Sequence, residues 1–148
     1  ESNESNMFVT MFLGILDLKS GVLHYCNAGH NPPVVFSSTK EPVFLPVMSN
    51  IPLGVLDGFA FQEQEILLPA DSLLYLYTDG VTEAENTGKE LFSSNRLLAT
   101  LNSLRILKPE SIIRQMMREI HTHAGDAEQN DDITMLCLHY TPSAHERN

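Results

Sequence analysis

Leu73-Leu74-Tyr75-Leu76-Tyr77-Thr78-Asp79-Gly80 joins five apolar or aromatic residues to an abrupt polar stop. The run has the length of a strand buried within a sheet, and Asp79-Gly80 is the chemistry of a chain reversal. Pro69-Ala70-Asp71-Ser72 supplies the turn before it. Later in the chain, Asp131-Asp132 opens a second apolar segment, Ile133 to Tyr140, which reads as another buried strand. If these strands are neighbours, an acidic residue at the end of one meets an acidic pair at the start of the other.

Working toward the N-terminus, Phe59 to Leu68 alternates partially, as a strand with one wetter face does. Val34 to Phe36 and Val43 to Leu45 are short apolar stretches around a polar turn. Before them, Asn27-Ala28-Gly29-His30-Asn31-Pro32-Pro33 reads as a tight loop, because two prolines lack ladder donors and Gly29 permits an unusual backbone turn. Val22 to Asn27 and Met7 to Leu16 form a hairpin about Asp17-Leu18-Lys19-Ser20-Gly21. Met7 to Leu16 is apolar at both alternating sets of positions, the pattern of a strand covered on both faces. Such a strand needs neighbours that Glu1 to Asn6 cannot supply, so the domain is expected to begin upstream.

Toward the C-terminus the period changes. Leu97, Leu98, Leu101 and Leu104 follow helical spacing after a capping Ser93 or Ser94. Pro109 opens a second helix with Ile112, Ile113, Met116, Met117 and Ile120 on one stripe and Gly125 at its end. Strands, then a helix pair, then a returning strand describe an α+β chain, and no dinucleotide or P-loop fingerprint is present.

Nine lysines and arginines against nineteen aspartates and glutamates leave a formal net charge of −10, which opposes binding to nucleic acid or anionic membranes. No apolar run is long enough to span a bilayer, so a cytoplasmic chain is expected. Cys26 and Cys137 each sit in apolar surroundings and read as core thiols rather than a disulfide. Asp79, Asp131 and Asp132 are hard oxygen donors of the kind that Mg²⁺ or Mn²⁺ prefers, although Asp79-Gly80 alone is a turn and Asp131-Asp132 alone a solvated loop end. His30 fits a structural loop histidine or a base. His121 and His123 point to different faces of their helix and read as surface residues.

Taken in order, several segments resemble one family. They are Met7-Phe8-Val9-Thr10-Met11-Phe12, Leu16-Asp17-Leu18 with Gly21, Tyr25 to Pro33, Leu53-Gly54-Val55, Tyr77-Thr78-Asp79-Gly80-Val81-Thr82-Glu83-Ala84 and Asn130-Asp131-Asp132-Ile133-Thr134. The set, from about Met7 to Tyr140, resembles the SpoIIE and RsbU group of PPM (protein phosphatase 2C-like) phosphatases. The resemblance implies a four-layer αββα sandwich, incomplete at its N-terminus, over residues 1–141, with 142–148 as a polar tail. It implies a binuclear Mn²⁺ or Mg²⁺ centre with Asp79 and Asp131 as catalytic metal ligands, Asp132 beside them in the ligand set, and Gly80, Asn27, Gly29 and His30 on adjoining loops.

The implied activity is hydrolysis of phosphoserine or phosphothreonine on a signalling protein. The implied substrate is a STAS-type anti-sigma-factor antagonist, and the implied setting is the output domain behind a sensor or response-regulator module. The family's Gly-Asp-x-x-Asp segment, which supplies a bridging carboxylate, does not occur before Met7. The metal is therefore expected to be held weakly or not at all by this chain, and the bare edge of Met7 to Leu16 is expected to drive self-association. The competing readings are a catalytically degenerate PPM module that binds phosphoproteins or dimerises, and an unrelated sheet-rich binding domain.

Overall fold

The computed structural model describes residues 7–104 and 108–142. In chain order its elements are β1 (Met11–Leu16), β2 (Val22–Ala28), β3 (Val34–Phe36), β4 (Val43–Phe44), β5 (Gln64–Leu67) and β6 (Ser72–Tyr77). Then follow α1 (Asp79–Thr82), α2 (Ser93–Ser103), α3 (Pro109–Ala124) and β7 (Met135–Tyr140). The strands make two antiparallel sheets, ordered β1-β2-β5 and β4-β3-β6-β7. They belong to two compact units, one taking in residues 7–32 and 46–70 and the other 33–45 and 71–141. Beyond Pro142, the expected polar tail lies outside the described residues.

In the first unit, β1 and β2 form the expected hairpin, paired from Met11 opposite Ala28 to Leu16 opposite Leu23. Asp17 closes it. Its Oδ1 accepts from the amides of Lys19 and Ser20 at 2.8 and 3.2 Å, and these bonds hold its carboxyl below the ordinary value. Gly21 takes the left-handed φ of 79° that the reversal needs.

Met7 to Leu16 has the bare edge expected of it in this chain: among the described residues β1 has a strand on one side only, and Leu13 and Ile15 are 53% and 68% exposed. The strand expected over Val22 to Asn27 runs one residue further, because Ala28 also pairs with β1 and the break comes at Gly29, where φ is 72°.

The second unit holds the core. Leu73, Tyr75 and Tyr77 of β6 share one face, and Val34 and Phe36 of β3 lie beside them. Leu97 and Leu101 of α2 and Ile112, Met116 and Ile120 of α3 join the same cluster at helical spacing. Pro109 stands at the start of α3 and Gly125 closes it with a φ of 57°, as the sequence predicts. Ser93 does not cap α2 strongly: it takes a φ of 72°, and its Oγ lies 3.5 Å from the Arg96 amide. β7 is shorter and wetter than expected, beginning at Met135 and alternating half-buried Met135 and Cys137 with exposed Leu136 and Leu138, the pattern of a strand with one solvated face.

Cys26 and Cys137 are both free, and burial pushes the Cys137 thiol up to about 12, with Glu110 adding to the shift. No helix among the described residues is long and apolar enough to cross a membrane.

Met116 is wholly buried between the helices and the sheet. Met116→Ala is expected to lower the unfolding free energy by about 2–5 kcal/mol in urea titrations. Cys137 is expected to resist alkylation by iodoacetamide at pH 8 in the folded protein and to react once urea unfolds it, measured by mass spectrometry of labelled peptides.

Candidate functional site

The two acidic segments singled out in the sequence lie at one edge of one sheet. β6 and β7 are antiparallel neighbours with Tyr77 opposite Met135, so the chain leaves β6 where it enters β7. The junction is bonded beyond the regular ladder. The Thr78 amide donates to the Thr134 carbonyl at 3.0 Å. The Thr78 hydroxyl donates to the Asp132 carbonyl at 2.9 Å and accepts from the Thr134 amide at 3.0 Å. One hydroxyl thus ties the stretch before Asp79 to the stretch after Asp131.

Gly80 tightens the same junction. A Cβ there would stand 2.5 Å from the Asp132 carbonyl oxygen, closer than any side chain permits, so the backbones approach only because residue 80 is glycine. Asp79-Gly80 is not a plain turn as the dipeptide alone suggests. It begins the single helical turn α1, entered through an extended Thr78, with Gly80 and Val81 buried. Burial of Val81 in the helix-covered core holds the chain in place while Asp79 stays exposed.

The carboxylates are locally braced. Asp79 Oδ1 accepts from the Gly80 amide at 3.0 Å, and Asp131 Oδ1 accepts from the Asp132 amide at 2.7 Å. Gln129 Nε2 donates to the Asp131 carbonyl at 2.8 Å. Asp79, Asp131 and Asp132 are all exposed at this edge. As donors they suit a hard divalent cation in kind. In number they fall short, since the described residues contain no group of three or more His, Cys, Asp or Glu side chains placed to hold a metal ion.

Asn27, Gly29 and His30 belong to the other compact unit and form a self-closed loop. Asn27 is buried, its Nδ2 donates to the His30 carbonyl at 2.8 Å, and its Oδ1 accepts from the His30 amide at 2.7 Å. A Cβ on Gly29 would strike Pro52 Cγ at 2.7 Å. His30 Nδ1 lies 3.2 Å from Thr10 Oγ1. These bonds make the signature a piece of loop architecture.

His123 is not the surface residue its position suggests. Its Nε2 donates to the Glu90 carbonyl at 2.9 Å, its Nδ1 accepts from Arg96, and its ring meets Phe92 edge-on at 5.6 Å, so it fastens α3 to the segment before α2. Thr78 and His123 both escaped the sequence reading, because each acts through partners far along the chain.

Comparisons with known proteins agree with this geometry. A family model described as Stage II sporulation protein E (SpoIIE) matches residues 1–141. Protein IcfG of Synechocystis is 34% identical over 94% of this chain and 22% of its own length. Phosphoserine phosphatase RsbU of Bacillus subtilis is 21% identical over 91% of this chain and 40% of its own. The chain therefore spans well under two thirds of either relative. Among solved structures, the PP2C phosphatase domain with a fragment of the regulatory domain of SpoIIE from Bacillus subtilis superposes with a TM-score of 0.78 at 20% identity, over 96% of this chain and 42% of that one. The SpoIIE phosphatase domain presoaked with Mn gives 0.71 at 17% identity, over 90% and 57%. The expected α+β, PPM-type fold is thereby established over part of the length of those domains.

Two substitutions test the junction. Thr78→Val is expected to cost about 1 kcal/mol of stability and to speed hydrogen exchange at the Thr134 amide, read by NMR. Gly80→Ala is expected to shift the amide resonances of Asp131 to Thr134 and to lower stability by more than about 1 kcal/mol, because the new methyl displaces backbone. Unchanged resonances there would contradict the close approach.

Proposed function

The chain belongs to the SpoIIE family of PPM-type phosphatase domains, and from that premise we propose that it is the part of a metal-dependent protein serine/threonine phosphatase that carries Asp79 and Asp131. The observation that carries the reading is the junction of β6 and β7, where Thr78 and Gly80 bring the Asp79 and Asp131-Asp132 segments to one sheet edge. The relative named phosphoserine phosphatase and the solved domain presoaked with Mn support the same chemistry. The proposed substrate is a phosphoserine or phosphothreonine on a signalling protein of the STAS type, and the proposed setting is the output end of a longer sensor or response-regulator protein.

Asp79 and Asp131 would hold Mn²⁺ or Mg²⁺, with Asp132 in reserve beside them and further ligands coming from outside the described residues. A bound pair of such ions supplies hydroxide at neutral pH and offsets charge on the phosphoryl oxygens. The chain's own part is positional. Thr78 ties the two acidic segments together, and the amides of Gly80 and Asp132 each hold one oxygen of the Asp79 and Asp131 carboxylates. Exposure at the sheet edge leaves room for a phosphorylated side chain. The alternative is a degenerate module of the same family that binds a phosphoprotein without turnover.

The two are separated by assaying the chain, and a longer protein that carries it, for Mn²⁺-dependent hydrolysis of an aryl phosphate and of a phosphoserine STAS-type protein. The longer protein is expected to turn over both, and this chain far more slowly. In the longer protein Asp79→Asn or Asp131→Asn is expected to lower turnover by more than about a hundredfold with the fold intact, because each change removes ligand charge at nearly constant volume. Full activity in both variants would remove these residues from the mechanism. Inactivity of the longer protein with phosphoprotein binding retained would favour the degenerate module.

A further inference from the structure

Beside the junction lies a groove of about 440 Å³, most of whose lining the proposed chemistry does not use. Gly80 and Asp131 form part of its wall, so it opens from the same edge as the carboxylates. Among its lining residues Ile120 is buried and Ile133 half-buried, giving it an apolar floor, while Leu91 and the carboxylates of Glu83, Glu128 and Asp131 are exposed around it. Neither lysine nor arginine lines it, and His121 is the basic side chain on its wall. Glu85 also lines the groove, but its charge is taken by Lys89 at 2.7 Å.

Resting on the reading above, we propose that this groove takes a lysine or arginine side chain from the segment flanking the phosphorylated residue of the substrate protein. The floor and the rim ask for different things. An apolar floor under a carboxylate rim matches a side chain with an aliphatic stem and a cationic head, which buries the one and leaves the other at the edge. The carboxylates are spread around the opening rather than gathered at a point, since among the described residues no three acidic or histidine side chains are placed to hold a metal ion. An extended organic cation fits that spacing where a bare ion does not. The groove also adjoins Asp131, so a cation seated there sits a short distance along the chain from a phosphate at the junction. The net charge of −10 draws basic segments toward the whole surface, and the groove selects among them by shape.

The test uses the 148-residue chain with Mn²⁺ and two fluorescent phosphoserine peptides, one with lysine and arginine beside the phosphoserine and one with alanine there. Fluorescence anisotropy is expected to give about tenfold tighter binding of the basic peptide, with the gap closing as salt rises. Glu128→Gln, at an exposed rim position, is expected to narrow the gap about threefold. Ala127→Trp, which fills the groove without removing charge, is expected to erase it. Equal binding of the two peptides, or a preference untouched by both variants, overturns the proposal. Aryl phosphate hydrolysis by the longer protein separates this from the functional reading. A basic preference without turnover keeps the groove and removes the hydrolase, whereas turnover without preference removes the groove alone.

Discussion

One hydroxyl group, that of Thr78, sets the geometry on which the proposed site depends. It spans the end of β6 and the approach to β7, bonding Asp132 and Thr134 across gaps of 54 and 56 residues. Without it, two acidic segments far apart in sequence would be joined by the ladder that ends at Tyr77 and Met135 and by the single backbone bond from the Thr78 amide to the Thr134 carbonyl. Gly80 adds a steric condition to the polar one, because the Asp132 carbonyl occupies the volume a side chain would need. Together they place exposed carboxylates on a backbone that has little freedom to move. A metal centre needs that combination: ligands reach outward while their supports are fixed.

The rigidity comes from the core behind the junction. Val81 anchors α1 in the same apolar cluster that receives α2, α3 and the inner face of β6. Tyr75 and Tyr77 stack at 5.9 Å within it. The Tyr75 hydroxyl is buried without a hydrogen-bond partner among the described residues, and burial pushes its ionisation well above the ordinary phenol value. A lost hydrogen bond of this kind costs about 1–3 kcal/mol, which the apolar contacts of the ring must offset. Function and stability are thus divided along the chain. Asp79 is exposed, whereas Gly80 and Val81, one and two positions on, are buried.

Ile133 to Tyr140 carries a pattern that suits burial, yet Leu136 and Leu138 of β7 are exposed, and among the described residues β1 and β7 each have a strand on one side only. Hydrophobicity states what a residue can bury and says nothing about whether a neighbour is there to cover it. Asn27 belongs both to the expected strand and to the loop signature, and it serves both: its backbone pairs with β1 while its side chain closes the loop. His123 looked solvent-facing from helix spacing alone. Its partners, Glu90 and Arg96, are brought to it by the return of α3, which no local pattern records.

The sequence alone determined the α+β class, the hairpin about Asp17 to Gly21, the buried run of β6 and the helices begun near Ser93 and Pro109, because each rests on local periodicity or on the backbone limits of glycine and proline. The ordered motifs also pointed to the family that the comparisons then established. Tertiary structure decided what depends on contact between distant segments: that β6 and β7 are neighbours, that Thr78 rather than any acidic residue ties them together, and that a groove with an apolar floor lies beside Asp131. Pairing partners and cavities arise when the chain folds back on itself, and a linear pattern, however regular, contains the candidates for such contacts but not the choice among them.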